Sequence, residues 1–282
     1  METIFLEFNL NMQENEHLME SNYDAYIIPA YEMLTKYRNG TLEESADDVN
    51  ETITLESAKF MESVKQFFEN LIKTIEKLIT DAVNSIKVKT EQLHMKARLA
   101  KFRKEMSKAR EDALRKEVDV IDGKRYLKNY ATFMMFAISQ AKSLFKKKFE
   151  NVDDYSRELT DVAESISAKF EAFDLGSIDS YKTSMTIKEA IAMYDKEINS
   201  FYSVCKGYNN DWQQSMKELE QIASKEDDPS KVHDIQKVAQ MISRLSAKVF
   251  QQYAASTIQK ISTISSAMNE SVPHVSVNSK EE

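Results

Sequence analysis

Apolar residues recur at intervals of three and four in the first half of the stretch from Thr54 to Gly123. The stretch has no proline, and its only glycine is its last residue. Such spacings place side chains on one face of an α-helix. The pattern leaves open whether this helix continues past Lys87 to residue 122, because the stripe thins there. The predicted stripe consists of Phe60, Val64, Phe67, Phe68, Leu71, Ile72, Ile75, Leu78, Ile79, Val83 and Ile86.

The same periodicity predicts four more helices, separated by turn signals. Thr186 and Glu189 have the spacing of a capping box, in which each side chain binds a loose backbone donor of the other residue. The last two helices have similar lengths and a short joint, so we expect them to fold back as an antiparallel hairpin. The four helices are expected at about 124–149, 153–175, 186–226 and 229–268.

The helix predicted at 186–226 has the most regular pattern in the chain. Apolar or aromatic residues stand seven apart over five repeats, and a second set fills the other seam position except at Ser215. A seven-residue spacing held this long is typical of a left-handed coiled coil. The predicted seam consists of Ile191, Tyr194, Ile198, Phe201, Cys205, Tyr208, Trp212, Leu219 and Ile222.

Composition favours the same fold class. The 282 residues include four glycines and three prolines, against usual proportions of roughly 7% and 5%. Tight turns of β-proteins need these residues, so we predict an all-α fold. The expected architecture is an elongated helical bundle or coiled coil with a long central helix and a C-terminal antiparallel hairpin. Along the chain we expect an N-terminal arm at 1–20 and a short helix with an acidic linker at 21–53. The long helix and its return helix are expected at 54–150, a coiled-coil bundle at 151–268 and a disordered tail at 269–282.

Charge is sorted along the chain, whose net charge is −8. Residues 1–60 hold thirteen acids and three bases, whereas residues 61–150 hold twelve acids and twenty-one bases. The basic stretch 87–116 therefore predicts an acidic partner, which is either nucleic acid or another protein segment, from this chain or a second copy. Only Phe102 interrupts the bases with an aromatic ring, so a base-stacking surface is not indicated. The candidate contacts are Lys96, Arg98, Lys101, Arg103, Lys104, Lys108 and Arg110.

No catalytic, cofactor or metal site is predicted. The four histidines stand singly, and none has a cysteine or a second histidine at helical spacing, which argues against zinc or iron. The single cysteine, Cys205, lies on the predicted seam, where a buried and inert thiol is the default interpretation. Four scattered glycines cannot form a phosphate-binding loop. We expect no enzyme activity, no small-molecule substrate and no membrane span, since no apolar run approaches the length a bilayer requires.

One short sequence resembles a processing site. Leu18, Met19 and Glu20, followed by Ser21, are similar to the Leu/Ile-x-Glu pattern after which the prohead proteases of T-even-type phages cut. Most of the chain is also similar in style to the long-helical, glycine-poor, methionine-rich proteins inside or on the heads of large tailed bacteriophages. The resemblance implies a virion structural protein whose residues 1–20 are a cleaved delivery arm. It also implies that the basic stretch faces packaged DNA or the acidic inner shell.

Two other functions stay open from the residues alone. One is a cellular coiled-coil scaffold or adaptor, which would work in the cytoplasm by binding a partner helix. The other is a helical nucleic-acid-binding protein that uses residues 87–116. The expected partners are other protein helices, from a second copy of the chain or from other virion proteins, with DNA as a further candidate.

Overall fold

The computed structural model describes the backbone of residues 46–101, 107–226 and 228–270, and the side chains of residues 60–93, 95, 111–194, 207–226 and 228–268. These residues are mostly helical, which confirms the helical part of the predicted fold class. The elements in chain order are α1 (Ala46–Lys101), α2 (Ser107–Arg115), β1 (Glu117–Ile121), α3 (Gly123–Lys146), α4 (Val152–Ala172), a 3-10 helix (Ile178–Tyr181), β2 (Lys182–Thr186), α5 (Ile187–Ala223) and α6 (Pro229–Glu270).

A two-stranded sheet corrects the all-α prediction. β1 and β2 pair antiparallel, with Glu117 opposite Thr186 and Ile121 opposite Lys182. The ladder extends beyond both strands, because Ile187 N donates to Lys116 O at 2.9 Å and Asp122 N donates to Tyr181 O at 2.8 Å. β1 carries β-branched residues that suit a strand. Its partner lies some sixty residues away, so the local helical periodicity gives no sign of the pairing.

α1 buries the predicted stripe. All eleven predicted stripe residues, from Phe60 to Ile86, are at most 9% exposed. The helix does not break at Lys87, and it ends at Lys101. Burying one such aliphatic or aromatic side chain contributes roughly 1.5–3 kcal/mol, so this stripe is a main source of stability.

Side chains fix the starts of α3 and α5. Asp122 Oδ1 accepts a hydrogen bond from Arg125 N at 3.0 Å at the start of α3. The capping box before α5 is confirmed, because Thr186 N donates to Glu189 Oε2 at 2.9 Å and Glu189 N donates to Thr186 Oγ1 at 3.3 Å.

α4 ends three residues before the expected Leu175. Asp174 adopts φ 52°, in the left-handed region that usually holds glycine at this position. Its N–H donates to Glu171 O at 2.8 Å, and Leu175 N donates to Phe170 O at 3.2 Å. These two bonds satisfy the last carbonyls of the helix, and the buried Leu175 follows them.

The described residues form two compact units. The first contains those up to Ile79, together with Asn129–Gly176 and Gly207–Val249. Its core draws on α1, α3, α4, α5 and α6, and the rings of Phe133 and Phe170 meet edge to face at 5.3 Å. The largest side chains fully buried in this unit are Trp212, Tyr130, Phe68, Phe133, Leu71, Ile75 and Leu144.

The second unit contains Thr80–Lys128, Ser177–Lys206 and the described residues from Phe250 onward. Tyr126 lies at its centre, with its ring 4.8 Å from that of Tyr181 and 6.0 Å from that of Tyr253. Arg125 donates to Ser180 O at 2.7 Å and lies over the Tyr181 ring. These contacts fix the start of α3 against the segment that leads into β2 and against α6.

Gly123 provides a test of this aromatic packing. A Cβ at Gly123 would lie 2.7 Å from Cε2 and Cζ of Tyr253, a ring that stacks on Tyr126 and is 5% exposed. We expect Gly123→Ala to lower the free energy of unfolding by about 1–3 kcal/mol, the usual cost of overpacking.

Gly207→Ala is the matched control for Gly123→Ala. A Cβ at Gly207 in α5 meets nothing within 4 Å, so alanine should raise the free energy of unfolding by about 0.5–1 kcal/mol. Urea unfolding followed by circular dichroism measures both changes. An equal increase in the free energy of unfolding for the two variants would contradict the packing described around Gly123.

Candidate functional site

A groove runs along the surface of the first unit between α3 and α5, with a volume of about 540 Å³. At one end the rings of Tyr130 and Tyr208 meet edge to face at 5.7 Å. At the other end Lys142 Nζ lies 2.5 Å from Glu218 Oε2. In both helices the tyrosine precedes the charged residue in the sequence, and the two tyrosines meet at the same end. The two helices therefore run parallel along the groove.

The floor of the groove is apolar. Trp212 is 1% exposed, and its Nε1–H meets no acceptor among the described residues. Met134 and Ile138 line the floor from α3, and Met135 stands on its edge with 77% of its surface exposed. Methionine is flexible and polarisable, so a groove rich in methionine can adapt to the shape of an apolar partner.

The groove continues past the Lys142–Glu218 pair into a second hollow of about 490 Å³. Lys146, Lys225 and Glu226 line this end, whereas Asp211 lines the end near the tyrosines. From Tyr130 to Lys146 the groove follows sixteen residues of α3, which corresponds to about 24 Å of helix. The end near the tyrosines is therefore negative, and the other end, with two lysines and one glutamate, has a net positive charge.

Hydrogen bonds to α1 hold the far side of α5. Glu76 accepts one from Asn209 Nδ2 at 3.2 Å and a second from Gln213 Nε2. Asn209 and Gln213 do not line the groove, so these contacts lie on another side of α5. They position the α5 wall of the groove relative to α1.

Two glutamates two residues apart on α5 have opposite pKa shifts. The Lys142 ammonium holds the pKa of Glu218 below its ordinary value. Burial raises the pKa of Glu220, and the nearby Glu69 carboxylate raises it further. Glu218 therefore stabilises the fold when ionised, and Glu220 destabilises it when ionised.

A tyrosine joins α4 to α6 in the same unit. Tyr155 Oη donates to Asp234 Oδ2 at 3.1 Å. Burial, with the Asp234 carboxylate beside it, raises the pKa of Tyr155 far above its ordinary range. The phenol therefore stays protonated and serves as a hydrogen-bond donor between the two helices.

The residues of the predicted processing site, Leu18, Glu20 and Ser21, lie outside the described residues. So do Arg103 and Lys104 of the basic stretch. The other five candidate contacts, Lys96, Arg98, Lys101, Lys108 and Arg110, are on α1 and α2 at positions whose side chains the structure does not describe. The acidic-partner surface stays a prediction.

The predicted seam residues differ in burial. Tyr194, Trp212 and Leu219 are buried, whereas Ile191, Tyr208 and Ile222 are half-buried. The side chains of Ile198, Phe201 and Cys205 lie outside the described part of α5. From Trp212 onward the buried positions continue at Met216, Leu219 and Ala223, with gaps of four, three and four. That spacing suits ordinary helix packing, and the coiled-coil seam stays a prediction.

Sequence reasoning did not identify the groove as a site. Its one local signal is the width of the apolar face of α3, where Phe133, Met134, Met135 and Phe136 are consecutive. A helix with one buried face needs a narrower stripe. An apolar surplus of this kind marks α3 as a helix with a second contact surface.

Neither a family model, nor a curated protein, nor a solved structure matches this chain. Among the side chains described, no group of three or more histidine, cysteine, aspartate or glutamate residues is arranged to hold a metal ion. Within the ranges that the structure covers, every helix is too short or too polar to cross a bilayer.

The opposite shifts of Glu218 and Glu220 predict opposite effects of two similar substitutions. At pH 7, Glu218→Gln should lower the free energy of unfolding by about 0.5 kcal/mol, as expected for a partly exposed ion pair. Glu220→Gln should raise the free energy of unfolding at pH 7, because it removes a charge that burial disfavours.

For both variants, the difference from the wild type in the free energy of unfolding should become smaller as the pH falls. The contribution of Glu218, whose folded pKa is lowered, is present above its unfolded pKa and is lost as the pH falls through the folded value. The penalty from Glu220, whose folded pKa is raised, declines as the pH falls below that value and is absent below the unfolded pKa. Urea unfolding of both variants between pH 7 and about pH 3 measures this. If both substitutions changed the free energy of unfolding at pH 7 in the same direction, the environments described for Glu218 and Glu220 would be wrong.

Proposed function

We propose that this chain is a non-enzymatic structural or assembly protein that works by helix–helix association. The α3–α5 groove supports this function, because its apolar floor and exposed Met135 form a channel about 24 Å long. Docking of an apolar helix face into such a groove is a common mode of protein recognition. Charged residues at both ends of the groove would set the direction of the bound helix.

The regular spacing in α5 supports coiled-coil association as a further part of this proposal. The seam from Ile191 to Ile222 includes buried and half-buried residues on one helix. Half-buried apolar positions retain surface that a partner helix can cover. In this proposal the chain is an elongated bundle, and the partners are helices of other copies or other proteins.

We place this function in the virion of a tailed phage, on or inside the head. The support comes from the sequence, where residues 18–21 resemble a prohead-protease site. In this setting residues 1–20 deliver the chain to the assembling head and are then removed. A cellular scaffold or adaptor is the alternative setting for the same mode of association.

Mass spectrometry of purified particles tests the virion setting. Particles released from cells that express the chain should contain a form that begins at Ser21. Glu20→Ala should block cleavage and leave the first twenty residues attached. Glu44→Ala, in the similar Leu-x-Glu sequence at 42–44, is the matched control and should be cleaved normally. A chain that is absent from particles, or that keeps Met1 within them, would favour the cellular scaffold.

A second candidate function, nucleic-acid binding, is favoured by the excess of bases in residues 87–116. If these residues contact DNA phosphates, neutralising Arg98, Lys101, Arg103 and Lys104 to glutamine should weaken binding at low salt. The slope of log affinity against log salt should fall by about 0.9 for each phosphate that the variant no longer neutralises.

The control for the DNA experiment neutralises Lys147 and Lys148, which directly follow α3. This variant should bind DNA as the wild type does. Fluorescence anisotropy with a labelled duplex at several salt concentrations measures both variants. Binding that the four substitutions leave unchanged would remove this candidate.

A further inference from the structure

We infer that the α3–α5 face of one chain pairs with the same face of a second copy, antiparallel and about a twofold axis. This inference rests on the helix association proposed above and names its partner. It does not depend on the virion setting.

The exposed edge of α3 is suited to close approach by another helix. Thr132, Met135, Ser139 and Ser143 are exposed along it at spacings of three and four. Three of these four side chains are small, so a second helix can come near the backbone, and Met135 is the one large apolar group among them. At 77% exposed, Met135 gains from burial only if a partner covers it.

The distribution of charge along the groove identifies a second copy as the partner. Asp211 lies at the tyrosine end, and Lys146, Lys225 and Glu226 lie at the other end, which keeps a net positive charge. Between them, Lys142 and Glu218 neutralise each other at 2.5 Å. An antiparallel second copy brings Asp211 of one chain near Lys146 and Lys225 of the other, at both ends of the interface. A parallel arrangement would place like charges together.

The twofold axis passes near the middle of the apolar segment. Ile138 stands halfway between Tyr130 and Lys146 on α3, and Met135 is less than one turn from it. The Met135 side chains of two copies therefore meet close to the axis. An isologous contact of this kind uses one surface twice, so every favourable contact is repeated.

The size of the face indicates a reversible dimer. Two adjacent helices, each about 10 Å wide and followed for about 24 Å, cover about 500 Å². Both copies together then bury about 1,000 Å², at the lower end of specific interfaces. We expect dissociation in the micromolar range and a weaker dimer at high salt.

Sedimentation equilibrium of the full chain tests the inference. The wild type should change from dimer to monomer on dilution. Met135→Glu should raise the dissociation constant by about a hundredfold or more, since it places two charges in the apolar centre. Met95→Glu is the matched control, because Met95 is a methionine 60% exposed outside this face. It should leave the dissociation constant unchanged, and circular dichroism checks that each variant keeps its helical content.

Charge reversal tests the antiparallel orientation. Asp211→Lys alone, or Lys146→Glu with Lys225→Glu, should weaken the dimer by about tenfold or more, because each change sets like charges against each other. Combining all three substitutions should restore most of the affinity.

A monomeric wild type at every concentration up to about 1 mM would overturn the dimer. A dimer that Met135→Glu leaves intact, or that the combined reversal does not restore, would overturn this interface. Neither result bears on the virion experiment with Ser21. Absence of the chain from particles would remove the virion setting and leave the dimer standing.

Discussion

Burial of apolar stripes against neighbouring helices is the interaction on which the described structure depends. Isolated helices are marginal in water, and most of their stability in proteins comes from packing of one face. α1 shows this most clearly, since its stripe is buried from Phe60 to Ile86 while its polar side faces water. With four glycines and three prolines in 282 residues, few turns interrupt such helices. Most of the apolar surface of the described helices is therefore buried in contacts between helices.

The groove between α3 and α5 is a consequence of the same packing. α3 carries more apolar surface than its own unit buries, and Met135 is the part left exposed. α5 completes the groove because Glu76, through Asn209 and Gln213, holds its opposite side to α1. Stability and association thus use one kind of contact, and they differ only in whether the second helix belongs to the same chain. This explains how a chain without a predicted reaction centre can still have a specific role.

Local features of the sequence could be predicted, and non-local ones could not. The α1 stripe, the start of α5 at its capping box and the joint before Pro229 depend on residues within one or two turns. The β1–β2 pairing joins residues 117 and 186, and no local pattern identifies such a partner. The end of α4 was expected at Leu175 because Gly176 follows it, whereas Asp174 takes the left-handed position that glycine usually occupies. The groove could not be predicted either, because it needs the knowledge that α3 and α5 lie side by side.

Fluorescence of Trp212, the single tryptophan in the sequence, reports whether the helices pack as described. Trp212 is 1% exposed in a core formed by helix packing alone. If that core exists in solution, native Trp212 emission is blue-shifted and resists quenching by acrylamide. In urea the emission then shifts to the red at the same denaturant concentration at which the helical circular-dichroism signal disappears. Native emission typical of a water-exposed indole, readily quenched, would show that the helices do not bury Trp212 in this way.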